Sequence, residues 1–193
     1  MRTLTYYVGV SLDGFIAAPD GSYDFYPLGD DLLTHMATEY ADALPTPTRA
    51  ALGIDAPTTR FDTIVMGRAT YDPALEEGIT DPYEHLRTYV VTRSIAQSPD
   101  PAVTLVSTDP LAAVRELKRE EGLGIYLAGG ARLAGALLPE IDELIVKTYP
   151  IVIGSGIPMF SAEFEVGQFR LTSCRAFGSG STVTTYERAR GAG

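Results

Sequence analysis

Ile125-Tyr126-Leu127-Ala128-Gly129-Gly130-Ala131-Arg132-Leu133 is an apolar run that stops at two glycines and restarts in helix-forming residues with one arginine. It reads as a strand that delivers its backbone into a bare turn at a helix N-terminus. Such a turn suits a diphosphate, because unpaired N–H groups and the positive end of the helix dipole point outward there and glycine lets oxygen atoms approach the backbone. A plain connection is the other reading, since glycine relieves turn strain with no ligand involved.

Sixty residues upstream, Phe61-Asp62-Thr63-Ile64-Val65-Met66-Gly67-Arg68-Ala69-Thr70-Tyr71 repeats the design, a β-branched strand passing through one glycine into an arginine and a helix start. Two such junctions on one parallel sheet can face each other across the crevice beyond the strand ends, a geometry that fits a dinucleotide.

Working outward, strand and helix signals alternate. Leu4 to Val10 reads as a strand, followed by a long loop from Ser11 to Gly21 with little room for a helix. Asp30 and Asp31 can cap a helix whose apolar residues Leu32, Leu33, Met36 and Tyr40 recur near the helical period, with Pro45 as its stop. Residues 45–60 read as a connection holding at most one short helix around Arg49 to Leu52. A helix to about Glu77 follows Gly67, and strands are predicted at Thr88 to Thr92 and Val103 to Val106. Asp109 then caps a helix with Pro110 in its first position and Leu111, Val114 and Leu117 as the buried stripe. A further helix after Gly130 turns Leu133, Leu137 and Leu138 inward and stops at Pro139. The tail changes character: a strand from Leu144 to Tyr149, then two strands flanking Gly178-Ser179-Gly180 as a hairpin, with frayed residues from Arg190 to Gly193. This order implies βαβ units in a mostly parallel sheet.

At 193 residues, 45% hydrophobic and 21% charged, the chain fits a single globular domain over 1–193. A net charge of −10 argues against nucleic acid, though not against a small nucleotide held by a few local arginines. No apolar stretch is long enough to span a bilayer. One cysteine, Cys174, expected in a core or strand position, excludes an internal disulfide and multi-cysteine metal sites, and no metal centre is expected. With no secretory signal evident, the expected compartment is the cytoplasm.

On these residues the sequence resembles the dihydrofolate reductase-like superfamily, and more closely its branch containing the bacterial riboflavin-biosynthesis pyrimidine reductase domain. Met66-Gly67-Arg68-Ala69-Thr70-Tyr71 and Gly129-Gly130-Ala131-Arg132 with Leu138-Pro139 are similar to the family's two phosphate turns. Ser11-Leu12-Asp13-Gly14-Phe15-Ile16-Ala17 and the segment Pro150 to Phe160, with Gly154-Ser155-Gly156-Ile157-Pro158, resemble two further segments of the riboflavin branch. The resemblance implies a three-layer α/β/α fold with a central mixed, mostly parallel sheet, a C-terminal antiparallel hairpin, NADPH as cofactor and a homodimer. Carried over by position, Gly67, Arg68, Ala69 and Thr70 would hold one side of the cofactor phosphates and Gly129, Gly130, Ala131, Arg132 and Leu133 the other. Thr92, Arg93 and Ser94 would cradle the adenosine ribose and a 2′-phosphate, and Ile16 and Ala17 would meet the nicotinamide carboxamide. Arginine's planar, permanently charged fork suits that phosphate, so Arg68, Arg93 and Arg132 would favour NADPH over NADH.

The implied activity is hydride reduction of a pteridine- or pyrimidine-like molecule. Leu28-Gly29-Asp30-Asp31-Leu32 resembles the segment that presents an acidic residue to the substrate in folate-reducing relatives, which places Asp31 there. In an apolar cleft its carboxyl would have a raised pKa and could bond an aminopyrimidine edge, and helix capping is the other role open to it. Asp13 would lie beside a substrate hydroxyl, or simply make an Asp-Gly turn. The absence of tryptophan and a longer stretch between Asp31 and Gly67 depart from the folate enzymes, and a lone cysteine cannot build the deaminase zinc site of riboflavin synthesis. A nucleotide-binding module without catalysis is the competing reading, told apart by ligand stabilisation without NADPH turnover.

Overall fold

The apolar runs of the sequence become the interior strands of a single twisted layer. The structure, a computed structural model, describes residues 1–189. The predicted frayed end, from Arg190 onward, lies outside the described residues. In chain order the elements are β1 (Leu4–Val10), β2 (Phe15–Ala17), α1 (Asp30–Glu39), α2 (Thr46–Ala51), β3 (Phe61–Gly67), α3 (Arg68–Glu76), β4 (Arg87–Val91) and β5 (Thr104–Val106). They continue with α4 (Pro110–Arg119), β6 (Gly124–Ala128), α5 (Ala131–Leu137), β7 (Glu143–Thr148), β8 (Ile157–Pro158), β9 (Phe169–Ala176) and β10 (Thr182–Arg188).

Eight strands form one sheet in the order β5-β4-β3-β6-β1-β7-β10-β9. The first six are parallel, and β10 and β9 add antiparallel pairings at one side. A parallel strand is covered on both faces, which is why β1 is buried along almost its whole length. On one face Leu32 and Met36 of α1 and Tyr71 of α3 pack with Tyr7, Ile64, Met66 and Tyr126. On the other, Val114 and Leu117 of α4 and Leu133 and Leu137 of α5 pack with Tyr6, Val8, Val65 and Leu127. This is the three-layer α/β/α arrangement that the resemblance implied.

Local signals hold in most elements. Asp109 caps α4 by accepting the Leu111 amide at 2.9 Å, with Pro110 in the first turn. Four readings need correction. The N-cap of α1 is Gly29, which has no side chain to cap with, and Asp31 meets the helix start from inside its first turn, by accepting the Leu32 amide. That helix ends at Glu39, well before Pro45, in a 3-10 turn over Ala41–Ala43. The loop after β1 is not structureless: β2 pairs antiparallel with β8, whose close approach is allowed by Gly156, where a Cβ would stand 2.2 Å from the Ala17 carbonyl oxygen. Cys174 lies in a strand, β9, as one of its two expected positions had it, but it is exposed rather than in the core, because β9 is an edge strand with little packed against either face.

Candidate cofactor and substrate site

β3 and β6 are neighbours with Met66 opposite Ala128, so the turns that follow them lie side by side at the carboxyl edge of the sheet. α3 starts behind Gly67 and α5 behind Gly130, and neither start has a side-chain cap. Their first-turn amides therefore keep free hydrogen-bonding capacity. α5 is only seven residues long, so open backbone donors count for more here than its dipole. Gly129 and Gly130 both hold positive φ, +65° and +87°. A Cβ on Gly129 would stand 3.2 Å from Thr70 Oγ1, and one on Gly67 would stand 3.9 Å from Leu133 Cδ2. The two turns thus approach each other through Thr70 and Leu133, and the glycines leave their backbone bare of side chains there.

The remaining predicted cofactor residues lie along the same edge. Thr92, Arg93 and Ser94 follow β4, next to β3, and the buried Thr92 receives the Ser94 amide on its Oγ1 at 3.2 Å. Arg68 reaches across to Ser94 Oγ and is held by Asp72, both carboxylate oxygens lying 3.1 Å from its Nε. Arg68 therefore links the glycine turn after β3 to the segment predicted to hold the ribose, with its charge already paired. Arg93 and Arg132 are exposed and have no ion pair among the described residues. Ile16 and Ala17 lie in β2, folded back beside β1 on the other side of β6. The adjacent glycine turns, the helix starts without side-chain caps and the two unpaired arginines suit a dinucleotide bearing an extra phosphate. A cavity of about 500 Å³ lies elsewhere, lined by Thr46, Arg49, Ile54 and His85 beside α2, and no predicted site residue reaches it.

Both candidate carboxylates are engaged with backbone. Asp31 accepts the Leu32 amide at 2.8 Å and the Ser179 amide at 3.1 Å, clamping the β9–β10 hairpin turn onto α1. It is exposed, and the Ser179 backbone hydrogen bond holds its carboxyl below the ordinary aspartate range. The expected raised pKa is thus reversed, because polar amides rather than an apolar cleft surround it. A Ser179 amide resonance followed by pH titration should report Asp31 with a midpoint below about 3.9. Because the folded pKa is depressed, the clamp is complete above that value and fails as pH falls through the folded pKa. Asp13 accepts from the amides of Ile153 at 3.2 Å and Gly154 at 2.7 Å, tying the loop after β1 to the segment before β8. Hydrogen bonding by the Ser11 side chain, then by those amides, lowers its pKa as well.

One group at this edge escaped the sequence reading. Lys147 on β7 lies opposite Gly9 of β1, and its Nζ sits 3.9 Å from the centroid of the Tyr7 ring. It is one of two lysines among 15 basic residues. A lysine inside the apolar run Leu144-Ile145-Val146-Lys147 was the available signal.

The family model for the RibD C-terminal domain matches residues 2–183. The chain belongs to that family. As a RibD C-terminal domain protein it is 34% identical over 179 residues to Uncharacterized protein YwjB of Bacillus subtilis (strain 168), covering 92% of this chain and 93% of that one. Its fold is similar to that of a protein named for riboflavin biosynthesis from Shewanella sp. PV-4, with a TM-score of 0.72 and 24% identity over 98% of this chain and 100% of that chain. It is similar also to dihydrofolate reductase from Enterococcus faecalis complexed with NADP(H), with a TM-score of 0.62 and 17% identity over 97% of each chain. The family and the dihydrofolate reductase-like fold implied by the sequence are thereby shown.

Proposed function

We propose that this RibD C-terminal domain protein is an NADPH-dependent reductase of a pteridine- or pyrimidine-like small molecule. The observation that carries this reading is the pair of adjacent turns after Met66 and Ala128, both free of side-chain caps. Bound NADPH would supply the hydride. The chain's own residues supply position and charge. Amides of Gly67 to Thr70 and of Gly130 to Leu133 would bind the diphosphate, and Thr92, Arg93, Ser94 and Arg132 would surround a 2′-phosphate. Arg68, which already reaches Ser94, would exchange Asp72 for an oxygen of that 2′-phosphate, a change favoured by its bidentate fork. β2, pinned by β8 and by Asp13, would bring the backbone of Ile16 and Ala17 against the nicotinamide amide.

A thermal-shift comparison of NADPH with NADH tests the cofactor. NADPH is expected to stabilise the protein more, and Arg132→Ala and Arg68→Ala are each expected to shrink the NADPH shift by more than the NADH shift. Losing a charged phosphate contact costs about 1–3 kcal/mol, or roughly five- to 150-fold in affinity. Equal responses to both nucleotides would remove the 2′-phosphate assignment. NADPH oxidation across a panel of pteridines and pyrimidines tests the reaction, and stabilisation with no turnover on any of them would favour a nucleotide-binding module instead.

A further inference from the structure

Lys147 is the basic side chain that the fold leaves without an obvious duty. The other lysine, Lys118, is buried at the opposite end of the sheet in an ion-pair cluster, 2.8 Å from Asp142 Oδ2 and 3.3 Å from Glu140 Oε2. Lys147 has no ion pair and no hydrogen-bond partner among the described residues. Its contact is the face of Tyr7, whose own hydroxyl is buried and also lacks a partner. Gly9 makes room beside it: a Cβ there would lie 2.9 Å from Tyr149 Cε2 and 3.7 Å from Lys147 Cε. Tyr149 in turn packs on Tyr26 at 4.7 Å between ring centroids. The ammonium therefore lies against the face of one aromatic ring, with no carboxylate in ion-pair reach among the described residues.

Its position ties this group to the cofactor edge. β7 is two strands from β6, so Lys147 stands about 10 Å across the sheet from the glycine turn, at ~4.8 Å per strand. It is level with Gly9, one residue short of the carboxyl end of β1, on the face covered by α1. That is where a molecule beside a nicotinamide lying over β6 and β1 would sit.

We propose that the Lys147 ammonium, seated on Tyr7 at the carboxyl end of β7, is the polar group that meets the substrate, and that it selects an acceptor presenting a carbonyl or anionic oxygen over one presenting a protonated amino-substituted edge. This rests on the reductase reading and narrows its substrate class. A protein that meets most of its needs for positive charge with arginine keeps here a compact point charge on a flexible stem. An unpaired, partly dehydrated ammonium is costly to hold in a fold, and a cost of that kind is characteristic of ligand-facing positions. Burial lowers its pKa to about 8, so it remains mostly charged at neutral pH and is ready to donate a hydrogen bond. Asp31 and Asp13, which would serve a cationic edge, are engaged with backbone amides instead.

Two lysines make the test direct. Reductive ¹³C-methylation of the whole chain marks Lys118, Lys147 and the N-terminus, and Lys118→Arg assigns the signals. Barbiturate, an oxygen-rich anion, and 2,4-diaminopyrimidine, a cation, are the probes, each with and without saturating NADPH. The Lys147 signal is expected to move with barbiturate and to stay still with 2,4-diaminopyrimidine. Lys147→Met, which keeps length and removes charge, is expected to weaken barbiturate binding at least tenfold while preserving the NADPH thermal shift, which also shows that the variant is folded. A Lys147 signal unmoved by barbiturate, or moved equally by both probes, would overturn the proposal. A wild-type protein with no NADPH shift would instead remove the reductase reading, and the barbiturate response measured without NADPH would still judge Lys147.

Discussion

Gly130→Val is expected to abolish the NADPH-induced rise in melting temperature while leaving a folded protein. In the wild type, NADPH at about a hundred times its dissociation constant should add ~2.7 kcal/mol to stability. Gly130 has φ +87° and ψ 106°, a conformation that a β-branched residue reaches only under strain of about 1–3 kcal/mol. The valine methyls would also stand over the amides that open α5, where the phosphate oxygens must come. Gly78→Ala is the control, since Gly78 has φ +80° at the end of α3 with nothing within 4 Å of the added carbon. It should lower the melting temperature by a similar strain and leave the NADPH shift intact. A full NADPH shift in Gly130→Val would mean that the double-glycine turn does not touch the cofactor.

Gly135→Ala should be the most destabilising small substitution in the cofactor half of the molecule. The added carbon would lie 2.0 Å from the Ser161 carbonyl oxygen and 2.7 Å from its carbonyl carbon. Both are backbone atoms, held in place by the Ser161 amide donating to the Ala131 carbonyl at 3.0 Å. Relief requires α5 and the chain after β8 to separate, which removes Leu133 and Leu137 from close packing on the sheet. Overpacking of this kind costs about 3 kcal/mol or more, equivalent to a fall of roughly 6–12 °C in Tm for a chain of this size. NADPH affinity should fall as well, because α5 closes the glycine turn. Chemical denaturation measures the first effect, and a loss below about 1 kcal/mol would show that this contact is softer than its geometry implies.

The two strand–glycine–helix junctions were legible from residues 61–71 and 125–133, because strand, glycine and helix start are local events with local signals. The same holds for α4, whose cap and proline are written into Asp109-Pro110. β2 and β8 were not legible, since strands of three and two residues carry no periodicity and exist only through each other. The surroundings of Asp31 were not legible either: the Ser179 amide that lowers its pKa arrives from a hairpin 148 residues away. Lys147 passed unnoticed for the same reason, because its partner ring and the missing side chain at Gly9 both belong to another strand.

By itself, then, the sequence determined the order of the longer strands and helices, the two glycine turns and the arginines around them, since each depends on backbone freedom and hydrophobic spacing within about ten residues. The tertiary structure decided which turns lie side by side, which carboxylates are already satisfied and that Lys147 rests on an aromatic face without an ion pair among the described residues. Those outcomes depend on sheet order, which joins residues more than a hundred positions apart and leaves no trace in local spacing.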